Sequence, residues 1–256
     1  MSAPEQRTIK TTRTVFDIIE SITRGNDSVT EIAEDLEMSK STVYTHLLTL
    51  QQRGYLIKTG TEYQLGLQFL SLGGHVQTSG TYRKLYRTAK PEIDELANET
   101  AERAQLMVEE DGYGSYLYQS TGSKGVMTDT HVGTRVFLHA TAVGKAFLAH
   151  VPEAQADRII ERHGLVQETE NTTTDRDELF AELGTIRERG VAFDNGERVR
   201  GIRCVAAPIE TDNGAVLGAI SVSVPNRRIT EARFEQELPE LVSDAARVIG
   251  LNVTYS

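Results

Sequence analysis

The chain has 256 residues, 39% hydrophobic and 25% charged, with a formal net charge of −10 and one cysteine. At about 100–200 residues per domain this is one large domain or two modest ones, and the composition excludes wholesale disorder. No apolar run reaches the roughly 18 residues of a membrane helix, the first ten residues lack a secretory apolar stretch, and Cys204 alone cannot form an intrachain disulfide, so a cytoplasmic protein with no membrane partner is expected.

Val15, Ile18, Ile19 and Ile22 recur at i, i+3, i+4 and i+7. That spacing predicts an amphipathic helix over 14–23, ended by Gly25, Asn26 and Asp27. Ser28 and Glu31 read as a capping box, a hydroxyl and a carboxylate that satisfy two orphan backbone donors. The helix it opens, 30–36, buries Ile32, Ala33 and Leu36. Ser39 is a second N-cap, opening a helix over 40–53 that buries Val43, Leu47 and Leu50. Two short helices about three residues apart, with small Ala33 where they cross, make the helix-turn-helix pattern. Gly54 stops the third helix. Residues 55–58 and 61–65 alternate around Thr59 and Gly60, which predicts a β-hairpin.

Three helices and a hairpin predict a winged helix-turn-helix. It would lay the helix from Ser39 in a major groove of double-stranded DNA, with the hairpin beside the backbone. Ser39, Lys40, Ser41, Thr42, Tyr44 and Thr45 supply short donors, one cation and one aromatic for phosphate and base-edge contacts. Arg7, Lys10 and Arg13 form a basic arm ahead of the helices, and Lys58 sits on the hairpin. His46, one turn after Val43, reads as a half-buried packing residue. The net charge taken whole argues against nucleic acid. Residues 1–85, however, carry nine basic and nine acidic residues, so the entire excess lies on the remainder. Arginine outnumbers lysine 20 to 7. Acidic excess with few lysines fits a high-salt cytoplasm and an ordinary acidic soluble protein about equally.

Residues 66–89 read as a long helix-like linker carrying Leu67, Leu70, Leu72 and Val76, interrupted at Gly73 and Gly74. Its apolar stripe should find another copy of itself, which implies a homodimer. Pro91 suits the first turn of a following helix with Ile93, Leu96 and Ala97. From 104 the period shifts towards two, predicting strands over 104–110, 114–120 and 124–130. Helices follow over about 141–150, 153–163 and 175–189, then strands over 191–194, 203–210 and 215–224, with a turn at Asn213 and Gly214. A last helix covers about 230–250. Strands and helices in this order, without regular alternation, predict an α+β domain built on an antiparallel sheet.

At this point the chain resembles the IclR family of transcriptional regulators over nearly its whole length. The N-terminal match is Val29–Leu36, Ser39–Tyr44, Leu47–Tyr55 and Tyr63–Gly66. The narrower C-terminal match is Val132–Arg135, Leu138–Ala149, Ile186–Asp194, Gly201–Pro208 and Ser221–Pro225. The resemblance implies a winged helix-turn-helix (1–66), a linker helix (67–90) and a GAF-like effector-binding domain (91–256). It also implies operator DNA as partner, a small acidic effector, and a dimer or tetramer. Two departures stand out. Glu37 occupies a turn position where the family usually has Gly, and Thr45-His46 replaces Arg-Leu. The lost arginine removes a cation near DNA, so the family's operator preference is not carried over.

Thr141 to Lys145 opens a helix whose free N–H groups suit a carboxylate. Ser221 and Ser223, two apart in a strand, face one side and want a partner in an apolar setting. Carried over from the family position by position, the effector ligands are the backbone at Ala142 and Val143, then Asp194, Cys204, Ser221 and Ser223. A small carboxylate, hydroxy acid or sugar acid is expected. Cys204 with His131, His139, His150 and His163 invites a nucleophile or a metal site, but no ligand spacing or glycine-rich phosphate loop supports either. No catalytic residue, metal or cofactor is therefore assigned. The rival reading is a GAF-like enzyme or ligand sensor whose winged helix mediates protein contacts.

Overall fold

The computed structural model describes residues 8–126 and 129–255. Arg7 of the basic arm lies outside them. The chain divides into two compact units between Val76 and Gln77.

In the first unit, α1 (Lys10–Thr23), α2 (Val29–Asp35) and α3 (Lys40–Gln52) precede a hairpin of β1 (Leu56–Thr59) and β2 (Glu62–Leu65). Ile18, Ile32, Val43, Leu47, Leu56 and Tyr63 close one core among them. The capping box is present: Ser28 Oγ accepts from the Glu31 N–H, and Glu31 Oε2 accepts from the Ser28 N–H. Thr59 pairs with Glu62, so the turn falls on Gly60 (φ 62°) and Thr61, one residue later than the sequence pattern places it. Ser28 bridges to Glu62, and the Tyr63 N–H donates to Asp27 O at 2.7 Å. The hairpin is thereby stitched to the entrance of α2.

Glu37 is the residue where α2 turns into α3. Its N–H donates to Glu34 O, and the next N–H, Met38, donates to Ala33 O at 2.9 Å. That pair of bonds is a Schellman closure, which needs a left-handed residue at this place. Glu37 adopts φ 50°. A side chain there costs about 1–2 kcal/mol that glycine avoids, offset in part by glycine's greater backbone entropy. Glu37→Gly is therefore expected to stabilise the first unit by up to about 1 kcal/mol. Chemical denaturation followed by helix signal checks it, and a destabilised variant would contradict the strain argument.

α4 (Gln68–Thr78) runs through Gly73 and Gly74 without the expected interruption, and none of its residues is buried. Leu67, Leu70 and Val76 are 75%, 72% and 53% exposed. The helix ends instead at Thr78, before Gly80, whose left-handed φ of 65° would break an α-helix and here opens a short 3-10 turn, Gly80–Tyr82, that leads into α5. α5 (Arg83–Thr100) then continues through Pro91 rather than starting there. The one lost backbone bond is offset by burial of Leu85, Ala89, Ile93, Leu96 and Ala97 on the opposite face.

The second unit is a six-stranded antiparallel sheet in the order β5-β4-β3-β8-β7-β6. Its strands are β3 (Arg103–Glu110), β4 (Tyr113–Thr121), β5 (Arg135–Phe137), β6 (Ala192–Asn195), β7 (Ile202–Glu210) and β8 (Val216–Pro225). α5 and α9 (Leu238–Tyr255) cover one face. α6 (Ala142–His150), α7 (Glu153–His163) and α8 (Arg176–Arg189) cover the other. α9 is preceded by one π turn, Arg233–Glu237, and extends past residue 250. The strand expected over 124–130 does not form at its described residues, 124–126, 129 and 130. The N–H groups of Gly122 and Lys124 instead donate to Glu102 O and Ala101 O, which folds the chain into a turn. The sheet edge is supplied by β5, outside that window.

Candidate functional site

In the first unit, the Ser39 hydroxyl caps α3 by accepting from the Thr42 N–H at 3.2 Å. Lys40, Ser41, Thr42, Tyr44 and Thr45 all stand exposed on the first turns of that helix, while Val43 and Leu47 turn inward. His46 is half-buried. Lys58, opposite Tyr63 in the hairpin, lies over its ring at 5.2 Å from the centroid and remains exposed. Lys10 and Arg13 are exposed on α1, and Arg13 donates to Thr8 Oγ1. The surface offers hydroxyls and one aromatic on a helix, with cations on α1, α3 and the hairpin.

In the second unit the strand register builds a polar row. Directly opposed residues in antiparallel strands share a face. Arg103 opposes Ser223, Ser223 opposes Cys204, and Cys204 opposes Asp194. The next row on that face is Gln105, Ser221, Ala206 and Ala192, and beyond it lie Met107 and Ala219. The face therefore grades from polar to apolar, and α6 and α8 pack on its apolar end.

The N-terminus of α6 meets the polar end. Thr141 Oγ1 caps it by accepting from the Gly144 N–H at 3.1 Å, which leaves the N–H groups of Ala142 and Val143 uncommitted. Gly144 is required there, because a Cβ would stand 2.1 Å from Leu138 O. Together these groups enclose a cavity with about 20 Å³ of free room, on the scale of one water. All six residues assigned from the sequence, Ala142, Val143, Asp194, Cys204, Ser221 and Ser223, line it. Ser223 Oγ donates to Gln105 Oε1 at 3.0 Å and lies 3.2 Å from Cys204 Sγ. Ser221 is 2% exposed and makes no hydrogen bond to the described residues, and the same holds for the Tyr116 hydroxyl. Hydroxyls that reach a cavity and make no bond to the described residues mark a place where a ligand's polar groups can bind.

The electrostatics follow from burial. Burial, then the charge of Glu197, pushes the Asp194 carboxyl up to about 7, although the Glu197 N–H donates to its Oδ1 at 2.7 Å. Burial, then Asp194, also pushes the Cys204 thiol up, so it is a weak donor rather than a thiolate. Burial pushes His139 down, and its neutral ring bonds Val166 O through Nε2. Asp194 has a consequence for stability. Its folded value is above the unfolded one, so the folded state holds a proton that the unfolded state has lost between about pH 4 and pH 7. Stability from this group is present at the low end of that window and lost as pH rises through about 7. Asp194→Asn is expected to remove that loss. Its melting temperature should exceed that of the parent at pH 8, with the gap closing towards pH 4. A pH-independent gap would contradict the assignment.

The sequence reading missed Gln105, Tyr116, Thr130 and Arg198 in the same cavity. Gln105 was legible in part, since Arg103 and Gln105 alternate with apolar residues. Arg198 comes from the β6–β7 turn. That turn is held by Thr169 Oγ1 donating to Gly196 O at 2.7 Å and by Lys145 Nζ donating to Glu197 at 2.7 and 2.8 Å. No local pattern announces such a convergence.

Residues 78–251 match the family described as bacterial transcriptional regulator IclR C-terminal, and residues 14–60 match the IclR helix-turn-helix domain. The chain is similar to a probable HTH-type transcriptional regulator, ArcR, of Halobacterium salinarum: 34% identical over 250 residues, covering 96% of this chain and 94% of that protein. The crystal structure of Thermotoga maritima IclR superposes with a TM-score of 0.81 at 29% identity, covering 97% of this chain and all of that one. An IclR homolog from Microbacterium hydrocarbonoxydans, solved with 4-hydroxybenzoate, shares the fold at TM-score 0.77 and 22% identity, over 95% of this chain and 99% of that one. No helix among the described residues is long and apolar enough to cross a membrane. With a winged helix-turn-helix in one unit and an antiparallel-sheet effector domain in the other, this chain belongs to the IclR family of DNA-binding transcriptional regulators.

Proposed function

We propose that the chain reads a palindromic operator through α3 and answers a small carboxylate or hydroxy acid held in the cavity at the α6 N-terminus. Ser39, Lys40, Ser41, Thr42, Tyr44 and Thr45 contact bases and phosphates, and Arg7, Lys10, Arg13 and Lys58 grip the backbone. In the cavity the N–H groups of Ala142 and Val143 receive the ligand's carboxylate. Ser221 and Ser223 bond its oxygens, Cys204 donates weakly, and Asp194 accepts from a ligand hydroxyl. The observation that carries this reading is the Ser221 hydroxyl, unpartnered among the described residues and open to the cavity, beside the N-terminus of α6.

The exposed leucines of α4 support self-association as a homodimer, and pairs of dimers make a tetramer. The protein works in the cytoplasm and is not an enzyme, a reading supported by a Cys204 thiol that burial holds protonated.

A gel shift with the DNA upstream of its own gene tests the whole reading, with release by an acid as the expected response. Lys40→Ala and Lys58→Ala should each weaken binding to all sequences and flatten the salt slope by about one unit. Ser41 or Tyr44 substitutions should instead change sequence preference. Unchanged slopes in both lysine variants would refute this surface.

A further inference from the structure

The cavity has two positive poles, not one. The first is the α6 N-terminus. The second is Arg198, which lines the same cavity with its side chain only 16% exposed. Its Nη1 and Nη2 donate to Asp129 Oδ1 and Oδ2 at 3.1 and 2.8 Å. A guanidinium carries five N–H donors, so that contact leaves three, including the Nε edge that forms a second fork. Asp129 is 66% exposed and holds its end of the pair from the solvent side. An exposed carboxylate is a weak competitor, because water already solvates it. The turn that carries Arg198 is fixed by Lys145 on Glu197 and by Thr172 Oγ1 donating to Glu197 O at 2.5 Å. The hydroxyls of Ser221 and Tyr116 line the same cavity.

We propose that Arg198 makes this cavity, once the lining side chains part to widen it beyond its one-water volume, selective for small dicarboxylates, with one carboxylate on the α6 N-terminus and the other on the free edge of the Arg198 guanidinium. The inference rests on the reading of the cavity as the effector site. A monocarboxylate seated at the helix end leaves the cavity-lining guanidinium edge against carbon, which sacrifices its hydration without return. A second carboxylate replaces that hydration with a charge-assisted bidentate bond. The hydroxyls then select what lies between the two acid groups.

Pairs that differ only by carboxylate against methyl give the test: malate against 3-hydroxybutyrate, and succinate against butyrate. Thermal shift of the full chain is recorded across each titration. The diacid of at least one pair is expected to act at a concentration about tenfold to hundredfold lower than its partner. In Arg198→Gln that gap should collapse, the diacid acting only at higher concentration and the monoacid at the same or lower concentration, because the penalty on the guanidinium edge is gone. In Asp129→Asn the gap should widen, because the guanidinium charge that Asp129 partly neutralises then acts on the ligand's second carboxylate alone; this variant alters only an exposed residue and stands if Arg198→Gln fails to fold. A gap that persists in Arg198→Gln, is unchanged in Asp129→Asn, or is absent from the parent protein while monoacids bind overturns the proposal alone. No shift from any of the four acids at millimolar concentration overturns the effector reading of the cavity and the proposal with it.

Discussion

Lys145→Met is expected to destabilise the second unit by about 3–5 kcal/mol. Lys145 is 1% exposed, and its ammonium donates to both oxygens of Glu197 and, at 2.6 Å, to Glu182 Oε1. The Glu197 side chain is 8% exposed, whereas that of Glu182 is 32% exposed and can turn to water. Removing the cation leaves Glu197 as a buried charge with no countercharge and one long bond from the Asn195 N–H, so it must protonate or drag its turn open. At 2–4 °C per kcal/mol for a unit of this size, the melting temperature should fall by roughly 10 °C. Pairing Lys145→Met with Glu197→Leu should recover most of the loss, since an apolar pair of similar volume often matches a buried ion pair. A single variant that melts within about 2 °C of the parent, or a double variant no better than the single, would show that the ion pair does not hold this turn.

Ser221→Ala combined with Ser223→Ala should abolish the response to effector at concentrations that saturate the parent. The two hydroxyls have different duties in the protein alone. The Ser221 hydroxyl makes no hydrogen bond to the described residues, so its removal should leave stability unchanged and act only on the ligand. Ser223 holds Gln105 and touches Cys204, so Ser223→Ala also frees a buried amide oxygen and should lower stability by about 1–3 kcal/mol. Each lost bond to a neutral ligand group costs about 0.5–1.5 kcal/mol, and up to about 3 to a carboxylate, which is threefold to a hundredfold in affinity. The double variant should therefore lose roughly tenfold to ten-thousandfold in effector affinity, while its DNA binding without effector matches the parent. A double variant that still releases DNA at the parent's effector concentration places the ligand elsewhere.

Much of this was legible along the chain because it rests on local rules. The Ser28 and Ser39 caps, the 3.6-residue spacing of Val15 to Ile22 and the Asn213-Gly214 turn each involve neighbours within a few residues. So do the paired faces of Ser221 and Ser223. The capping bonds, the helix and the pairing of β7 with β8 formed as those rules require. Elements failed where tertiary contacts outweighed propensity. Pro91 stays inside α5 because the helix's buried face is worth more than the one bond it forfeits. Gly73 and Gly74 remain helical, and the break moves to Gly80, where the backbone is left-handed. The 124–130 strand yields to a turn whose donors find Ala101 and Glu102, twenty or more residues back along the chain.

What the sequence determined by itself was the winged helix, the antiparallel sheet and, through a position-by-position resemblance, six residues of one cavity. What only the tertiary structure decided was the rest of that cavity: Gln105 from β3, Tyr116 from β4, Thr130 from a loop and Arg198 from the β6–β7 turn. The reason is physical. Periodicity reports which face of its own element a side chain occupies, and it carries no information on which strands lie side by side. The order β5-β4-β3-β8-β7-β6 puts Gln105 opposite Ser221 across more than a hundred residues of chain. The charge of Arg198 enters the cavity only because buried Lys145, Thr169 and Thr172 hold its turn in place.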